Sequence, residues 1–160
     1  MNKLRNTLLV TLLVLPALCL GGPEVDLLLS ADEPPVGVLF EIAADEDDAL
    51  AWALPLVRRY SEQLRSRFAD LPIAVVTHGT EQFALLTKKA DGPLSSIHVD
   101  ALELRKTAID LHVCGAHAGW YGQMPEDFPS YVDVSPSGPA QINDYRNLGF
   151  KIIRLRNAND

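Results

Sequence analysis

The stretch IDLHVCGAHAGWYG, residues Ile109–Gly122, carries the clearest structural signal in this chain of 160 residues. Its first half alternates between apolar and polar residues, which is typical of a strand, the apolar positions being Ile109, Leu111 and Val113. Gly115 breaks this pattern immediately after Cys114. We therefore predict that Cys114 lies at the carboxyl end of a strand and the start of a helix. Open α/β sheets bind their ligands at such an edge, where the local dipole favours a thiolate.

Four further segments have the composition of strands, namely Val36–Ile42, Ile73–Thr77, Tyr131–Val134 and Phe150–Leu155. Helical patterns separate them: a long amphipathic helix opened by Asp45–Asp48, a short helix over Glu81–Lys89, and helices over Ile97–Lys106 and Pro139–Leu148. Strands that alternate with helices indicate a parallel sheet between helical layers. The predicted fold is a flavodoxin-like three-layer α/β sandwich with a five-stranded, mainly parallel sheet.

The charge of the chain excludes one class of partner. The formal net charge is −7, and no basic stripe is present that would neutralise phosphates, so a nucleic-acid partner is not expected. A local group of arginines alternates with acids and has the pattern of a solvated helix face: Arg58, Arg59, Arg65 and Arg67.

Residues 1–22 have the pattern of a secretory signal peptide. Lys3 and Arg5 precede a short apolar run, Leu8–Leu15, and small residues around Gly21 match a signal-peptidase site. We therefore expect cleavage near Gly21 or Gly22 and a periplasmic or secreted protein. The alternative is a leader that is retained as an uncleaved anchor, which would then be the protein's only contact with a membrane.

After the leader, residues 23–35 are predicted to form an acidic linker that ends in two prolines, and the folded domain is predicted over residues 36–156. Cleavage removes Cys19, so Cys114 has no partner for an intramolecular disulfide. An unpaired cysteine in an oxidising compartment calls for an explanation.

Three pieces of the sequence occur in the order found in one known family. They are VVTHG (Val75–Gly79); VCG with a glycine seven residues later and the acidic–aromatic run Glu126–Phe128; and VDVSPSGPAQINDYRNLGFKIIRL (Val132–Leu155). In these pieces the chain resembles the DsrE/DsrF-like family of TusD and YchN-type proteins, as an exported member. The resemblance covers Val36–Leu155.

The resemblance implies a compact α/β domain that assembles as a homotrimer or homohexamer. It also implies a sulfur relay without a cofactor, in which one cysteine carries sulfur as a persulfide between a donor and an acceptor protein. Any enzyme activity would be sulfurtransferase-like. By position, Cys114 matches the sulfur-accepting cysteine of some subfamilies. Many exported members continue with asparagine and threonine after Cys-Gly, whereas this chain has Ala116 and His117.

Sulfur transfer needs a nucleophilic thiolate, space for a second sulfur atom and donors that stabilise the anion. We predict Cys114 as the catalytic residue, with His78 and His117 as proton shuttles, because imidazole titrates near neutral pH. In the predicted sheet His78 follows the strand next to that of Cys114. The structural alternative is a buried and inert cysteine.

A second interpretation involves the spacing His112-x-Cys114-x-x-His117. His112 and Cys114 share one face of the strand, and their nitrogen and sulfur atoms suit zinc or copper. The spacing is not a zinc signature, so no metal site is predicted; the structural alternative for His112 is a pair with Asp110. The alternative function is a non-catalytic oligomeric module that binds a small ligand or a metal ion.

Two aromatic residues, Trp120 and Tyr121, follow the cysteine closely. Aromatic side chains are enriched in subunit interfaces, and this is the location that we favour for both. The alternative is that they form a wall of a pocket over the thiol.

Overall fold

In the computed structural model, which describes residues 22–157, five strands form one sheet in which all paired neighbours are parallel. In chain order they are β1 (Val38–Ile42), β2 (Ile73–Thr77), β3 (Ile109–Cys114), β4 (Asp133–Ser135) and β5 (Lys151–Arg154). Their order across the sheet is β4-β3-β2-β1-β5. The predicted five-stranded parallel α/β fold is confirmed.

The described residues contain five α-helices: α1 (Pro23–Leu29), α2 (Leu50–Arg67), α3 (Ser95–Lys106), α4 (Gly115–Trp120) and α5 (Gly138–Asn147). Three 3₁₀ turns cover Thr80–Leu85, Thr87–Lys89 and Pro125–Asp127. The prediction of one helix over Glu81–Lys89 is wrong. Leu86 adopts an extended backbone (φ −62°, ψ 133°) and divides the segment into two turns.

The path of the chain decides which helix covers which face. Strands β1 to β4 are added in one direction, and β5 then returns to the far side of β1. Because crossovers between parallel strands are right-handed, this reversal moves α5 to the face opposite α2 and α3. The core on the α2 and α3 face includes Phe40, Val75 and Leu111, and the core on the α5 face includes Leu39, Val76 and Ile142.

The segment predicted as a linker, residues 23–35, contains α1. Pro23 suits a first helical turn, and Glu24 and Asp26 complement the positive end of the helix dipole. Val25 is fully buried in the larger core, so α1 is part of the packed domain. Apart from Gly22, the predicted leader lies outside the described residues. None of the helices between residues 22 and 157 is long and apolar enough to cross a membrane.

Candidate functional site

Cys114 lies where the connections that follow two neighbouring strands turn to opposite faces of the sheet. The connection after β3 packs into the larger core, whereas α5, after β4, packs on the other face. Cys114 ends β3 and pairs in register with Ser135, which ends β4. Open α/β sheets bind ligands in the crevice that forms at the carboxyl ends of strands at such a switch point. The topology therefore places the thiol at the expected ligand edge.

This crevice is a cleft with a volume of about 280 Å³, which we call the Cys114 cleft. It is lined by His78, Cys114, Ala116, His117, Trp120, Ser137 and Pro139. The structure thus brings together all three residues that the sequence indicates for sulfur chemistry. They come from the ends of β2 and β3 and the start of α4, and the turn before α5 forms the opposite side.

The thiol of Cys114 is buried but borders the cleft. Only 4% of the residue is exposed, and the cleft that it lines is a route by which a reagent can reach the sulfur. The backbone N–H of His117 donates to Sγ at 3.4 Å, as Cys114 caps the N-terminus of α4. The start of α4 therefore supplies a hydrogen-bond donor to the sulfur.

Gln82 holds the backbone beside the thiol. Its Oε1 accepts the Cys114 N–H at 2.7 Å, and its side chain is fully buried. Within the part of the chain that the structure describes, its Nε2 has no hydrogen-bond partner. The sequence pattern around Gln82 predicted only a helix, so this contact was missed.

Two glycines allow the turn between β4 and α5 to approach Cys114. A Cβ on Gly138 would lie 2.7 Å from Cβ of His78 and 3.2 Å from Cβ of Cys114. A Cβ on Gly115 would lie 2.9 Å from the carbonyl oxygen of Ser135. The His78 and Cys114 side chains therefore start next to each other, and only a residue without a side chain fits between them.

His117 forms one wall of the cleft. Its Nδ1–H donates to the carbonyl oxygen of His78 at 2.8 Å, which leaves Nε2 as the acceptor in the neutral ring. The ring contacts Phe83, Trp120 and Tyr121 at centroid distances of 5.5, 5.6 and 5.3 Å. Trp120 lines the cleft yet is 81% exposed in the single chain, which fits both sequence-based interpretations of this residue.

His78 is held by a carboxylate. Its Nε2–H donates to Oε1 of Glu41 at 3.0 Å, and Arg154 contacts the same oxygen at 2.6 Å. Burial raises the pKa of Glu41, but the hydrogen bonds from Arg154 and His78 outweigh it, so the pKa lies below its ordinary value. Neither Glu41 nor Arg154 is among the site residues predicted from the sequence. A charged residue inside the apolar strand VGVLFEI was the available signal.

The metal interpretation finds no ligand cluster. Nε2 of His112 lies 3.0 Å from the Tyr145 hydroxyl, and its Nδ1 lies 3.2 Å from that of Ser135. The His112 ring thus hydrogen-bonds to neither Cys114 nor Asp110, and burial lowers its pKa. Among residues 22–157, no three His, Cys, Asp or Glu side chains form a group that would hold a metal ion.

The sequence matches no protein-family model and no curated protein. The solved structures that are similar to this chain include the following two. One is MTH1491, a protein of unknown function from Methanobacterium thermoautotrophicum, with a TM-score of 0.59 and 24% identity over 74% of this chain and 97% of that one. The other is the YchN protein from E. coli, with a TM-score of 0.58 and 13% identity over 74% of this chain and 99% of that one. The chain therefore has the YchN fold, as its resemblance to the DsrE/DsrF-like family predicts.

Proposed function

We propose that this protein is an exported sulfur carrier that accepts sulfur on Cys114 as a persulfide and passes it to an acceptor. The observation that supports this most directly is the position of the thiol. Cys114 borders a cleft at the switch point of the sheet, receives a hydrogen bond from the His117 amide and shares the cleft with two histidines. The fold shared with YchN is consistent with the proposal, but a fold alone does not specify a function.

The proposed reaction is the transfer of one sulfur atom from a hydropersulfide, R–S–SH. The thiolate of Cys114 attacks the outer sulfur of the donor, a new S–S bond forms, and the S–S bond of the donor breaks. The departing thiolate R–S⁻ takes up the proton that Cys114 released. The products are therefore the Cys114 persulfide and the thiol R–SH. No external oxidant or reductant is needed, because the outer sulfur keeps its oxidation state.

The lining of the cleft suggests which donors it accepts. No lysine or arginine is among the residues that line it. A donor with several negative charges would therefore find no permanently charged cation among these lining residues, and its desolvation would be costly. We expect small hydropersulfides of low charge, or the persulfide of a partner protein, to react faster than polyanionic donors.

Assembly and location are further parts of the proposal. Trp120, Tyr121 and Met124 are exposed by 81%, 58% and 54% in the single chain and follow one another along α4 and its C-terminal turn. Apolar groups exposed together mark interaction sites. We expect a second subunit or a relay partner to cover them, in a homotrimer or homohexamer. Export rests on the leader, which would place the unpaired thiol in the periplasm or outside the cell.

The test is the mass of the purified mature protein before and after treatment with a hydropersulfide, with iodoacetamide added to trap the product. We expect a gain of one sulfur atom on Cys114 and none in Cys114→Ser. Folding of the variant, checked by its melting temperature, is the control. Native protein whose thiol neither gains sulfur nor reacts with iodoacetamide would contradict the proposal.

One observation favours a second candidate function. The thiol is 4% exposed, as expected for a structural cysteine, and the cleft would then be a binding site without chemistry. In that case the protein is a non-catalytic oligomeric module for a small ligand or a metal ion. The same mass measurement separates the two functions, and a rise in melting temperature with a candidate ligand would support the second.

A further inference from the structure

Glu41 joins three neighbouring strands at the edge of the sheet that carries the cleft. It lies near the end of β1, pairs in register with Arg154 of β5, and contacts His78 directly after β2. The Glu41 side chain is 9% exposed, whereas that of His78 is 20% exposed. A buried carboxylate thus lies behind a histidine that faces the cleft.

The contacts of His78 fix both its backbone and its ring. The backbone N–H of His78 donates to the carbonyl oxygen of Ile42 at 3.1 Å, and the backbone carbonyl of His78 accepts the Nδ1–H of His117 at 2.8 Å. Because Nε2–H is bound to the Glu41 carboxylate, the neutral ring carries its lone pair on Nδ1. The His78 ring starts beside Cys114, because a Cβ on Gly138 would lie 3.4 Å from Cγ of His78 and 3.2 Å from Cβ of Cys114. His78 and Cys114 both line the cleft, so Nδ1 is the ring nitrogen left to take a proton there.

We propose that Glu41 is the positioning residue of His78, and that the pair moves the proton of the Cys114 thiol during sulfur transfer. This inference rests on the proposed function of Cys114. Nδ1 of His78 accepts the thiol proton as Sγ attacks the donor, and the imidazolium then returns that proton to the departing R–S⁻. The Glu41 carboxylate keeps the reactive tautomer and stabilises the imidazolium, as an ionised group next to a catalytic histidine does.

Arg154 has a separate task in this arrangement. Its guanidinium binds the same oxygen of Glu41 as His78 does, and its side chain is 56% exposed. It compensates for the burial of the carboxylate, which stays ionised when His78 is neutral. Within residues 22–157, no carboxylate is hydrogen-bonded to His117, whose Nδ1–H donates to a carbonyl oxygen. The electrostatic support therefore distinguishes His78 from His117 as the proton carrier.

The test measures the rate of Cys114 persulfide formation against pH with cysteine hydropersulfide, a small donor of low charge, in the full mature protein. We expect His78→Ala to lower the rate by about a hundredfold and Glu41→Gln to lower it by about tenfold. The double variant should be no slower than His78→Ala, because Glu41 acts only through His78. Asp110→Asn is the matched control: it removes an ion-paired carboxylate of β3 that does not line the cleft, and should leave the rate unchanged.

The outcomes separate this inference from the function on which it rests. If wild-type Cys114 gains no sulfur, the proposed function fails. Two results would overturn the inference alone, given that the wild-type protein reacts. One is a folded Glu41→Gln variant with the rate and pH profile of wild type. The other is a double variant whose rate loss equals the product of the losses in Glu41→Gln and His78→Ala. If Glu41→Gln does not fold, Glu41→Asp takes its place. This variant keeps the buried charge, but its shorter side chain moves the carboxylate away from His78. A wild-type rate in Glu41→Asp would also overturn the inference.

Discussion

Two buried glutamates, Glu41 and Glu81, lie at the same edge of the sheet and are held in different ways. Glu81 is fully buried and accepts hydrogen bonds from the amides of Ala44 and Gly79, at 2.9 and 3.0 Å, and from the hydroxyl of Thr77. Its partners are neutral and belong to loops and strand ends. Glu41 binds Arg154 and His78, which are charged or able to become charged.

The difference separates a carboxylate that fixes the fold from one that serves the cleft. Glu81 joins the loop after β1 to the turn after β2, and its loss would remove a hydrogen bond from each of the three groups that it binds. The partners of Glu41 are partly exposed and can turn to water. A charge buried among fixed donors indicates structure, whereas a charge paired with a histidine at a cleft indicates chemistry.

The largest expected effect is on stability, from an isosteric change at each glutamate. Glu81→Gln places an NH₂ group against backbone amides that need an acceptor, and we expect a loss of about 3 kcal/mol in unfolding free energy. Glu41→Gln keeps an acceptor for partly exposed partners, so its cost should be about 1 kcal/mol or less. Denaturant unfolding at neutral pH measures the unfolding free energy of both variants and of wild type. Equal losses of unfolding free energy in the two variants would remove the distinction between the two glutamates.

A smaller effect is expected where the turn after β4 meets the cleft. Gly138→Ala brings a Cβ to 2.7 Å from that of His78, and we expect this overpacking to cost about 2 kcal/mol and to change the rate of Cys114 alkylation. Gly119→Ala is the matched control, because a Cβ at this helical position meets no atom within 4 Å. Gly119→Ala should leave the unfolding free energy unchanged or raise it by up to about 1 kcal/mol. An unchanged alkylation rate in Gly138→Ala would show that the close approach does not shape the site.

The elements that position Cys114 could be predicted from local sequence. Alternation over Ile109–Val113 and the glycine after Cys114 marked a strand end, and His78 followed a second apolar strand. Because both strands are parallel neighbours, their carboxyl ends meet, so the placement of His78 beside the cysteine followed from the topology. The sequence alone was therefore enough to predict that Cys114 and His78 lie together at strand ends.

The residues that hold His78 in place could not be predicted from local sequence. Glu41 and Arg154 are 113 positions apart, and their pairing depends on β5 returning to the far side of β1. No local pattern encodes that register. The helix α1 was missed for a related reason: one buried valine, Val25, among acidic and proline residues docks a segment whose composition is that of a linker.

The smallest expected effect concerns the acid limb of the stability profile. The pKa of Glu41 lies below its ordinary value of 4.5 because bonds from Arg154 and His78 outweigh its burial. Its contribution to stability is therefore complete above pH 4.5 and is lost as the pH falls through the lower, folded-state pKa. The difference in unfolding free energy between wild type and Glu41→Gln should be constant at neutral pH and shrink in acid. Urea unfolding at a series of pH values measures it, and a difference that grows on acidification would mean that the folded protein holds Glu41 as the protonated acid, which would leave His78 without its carboxylate.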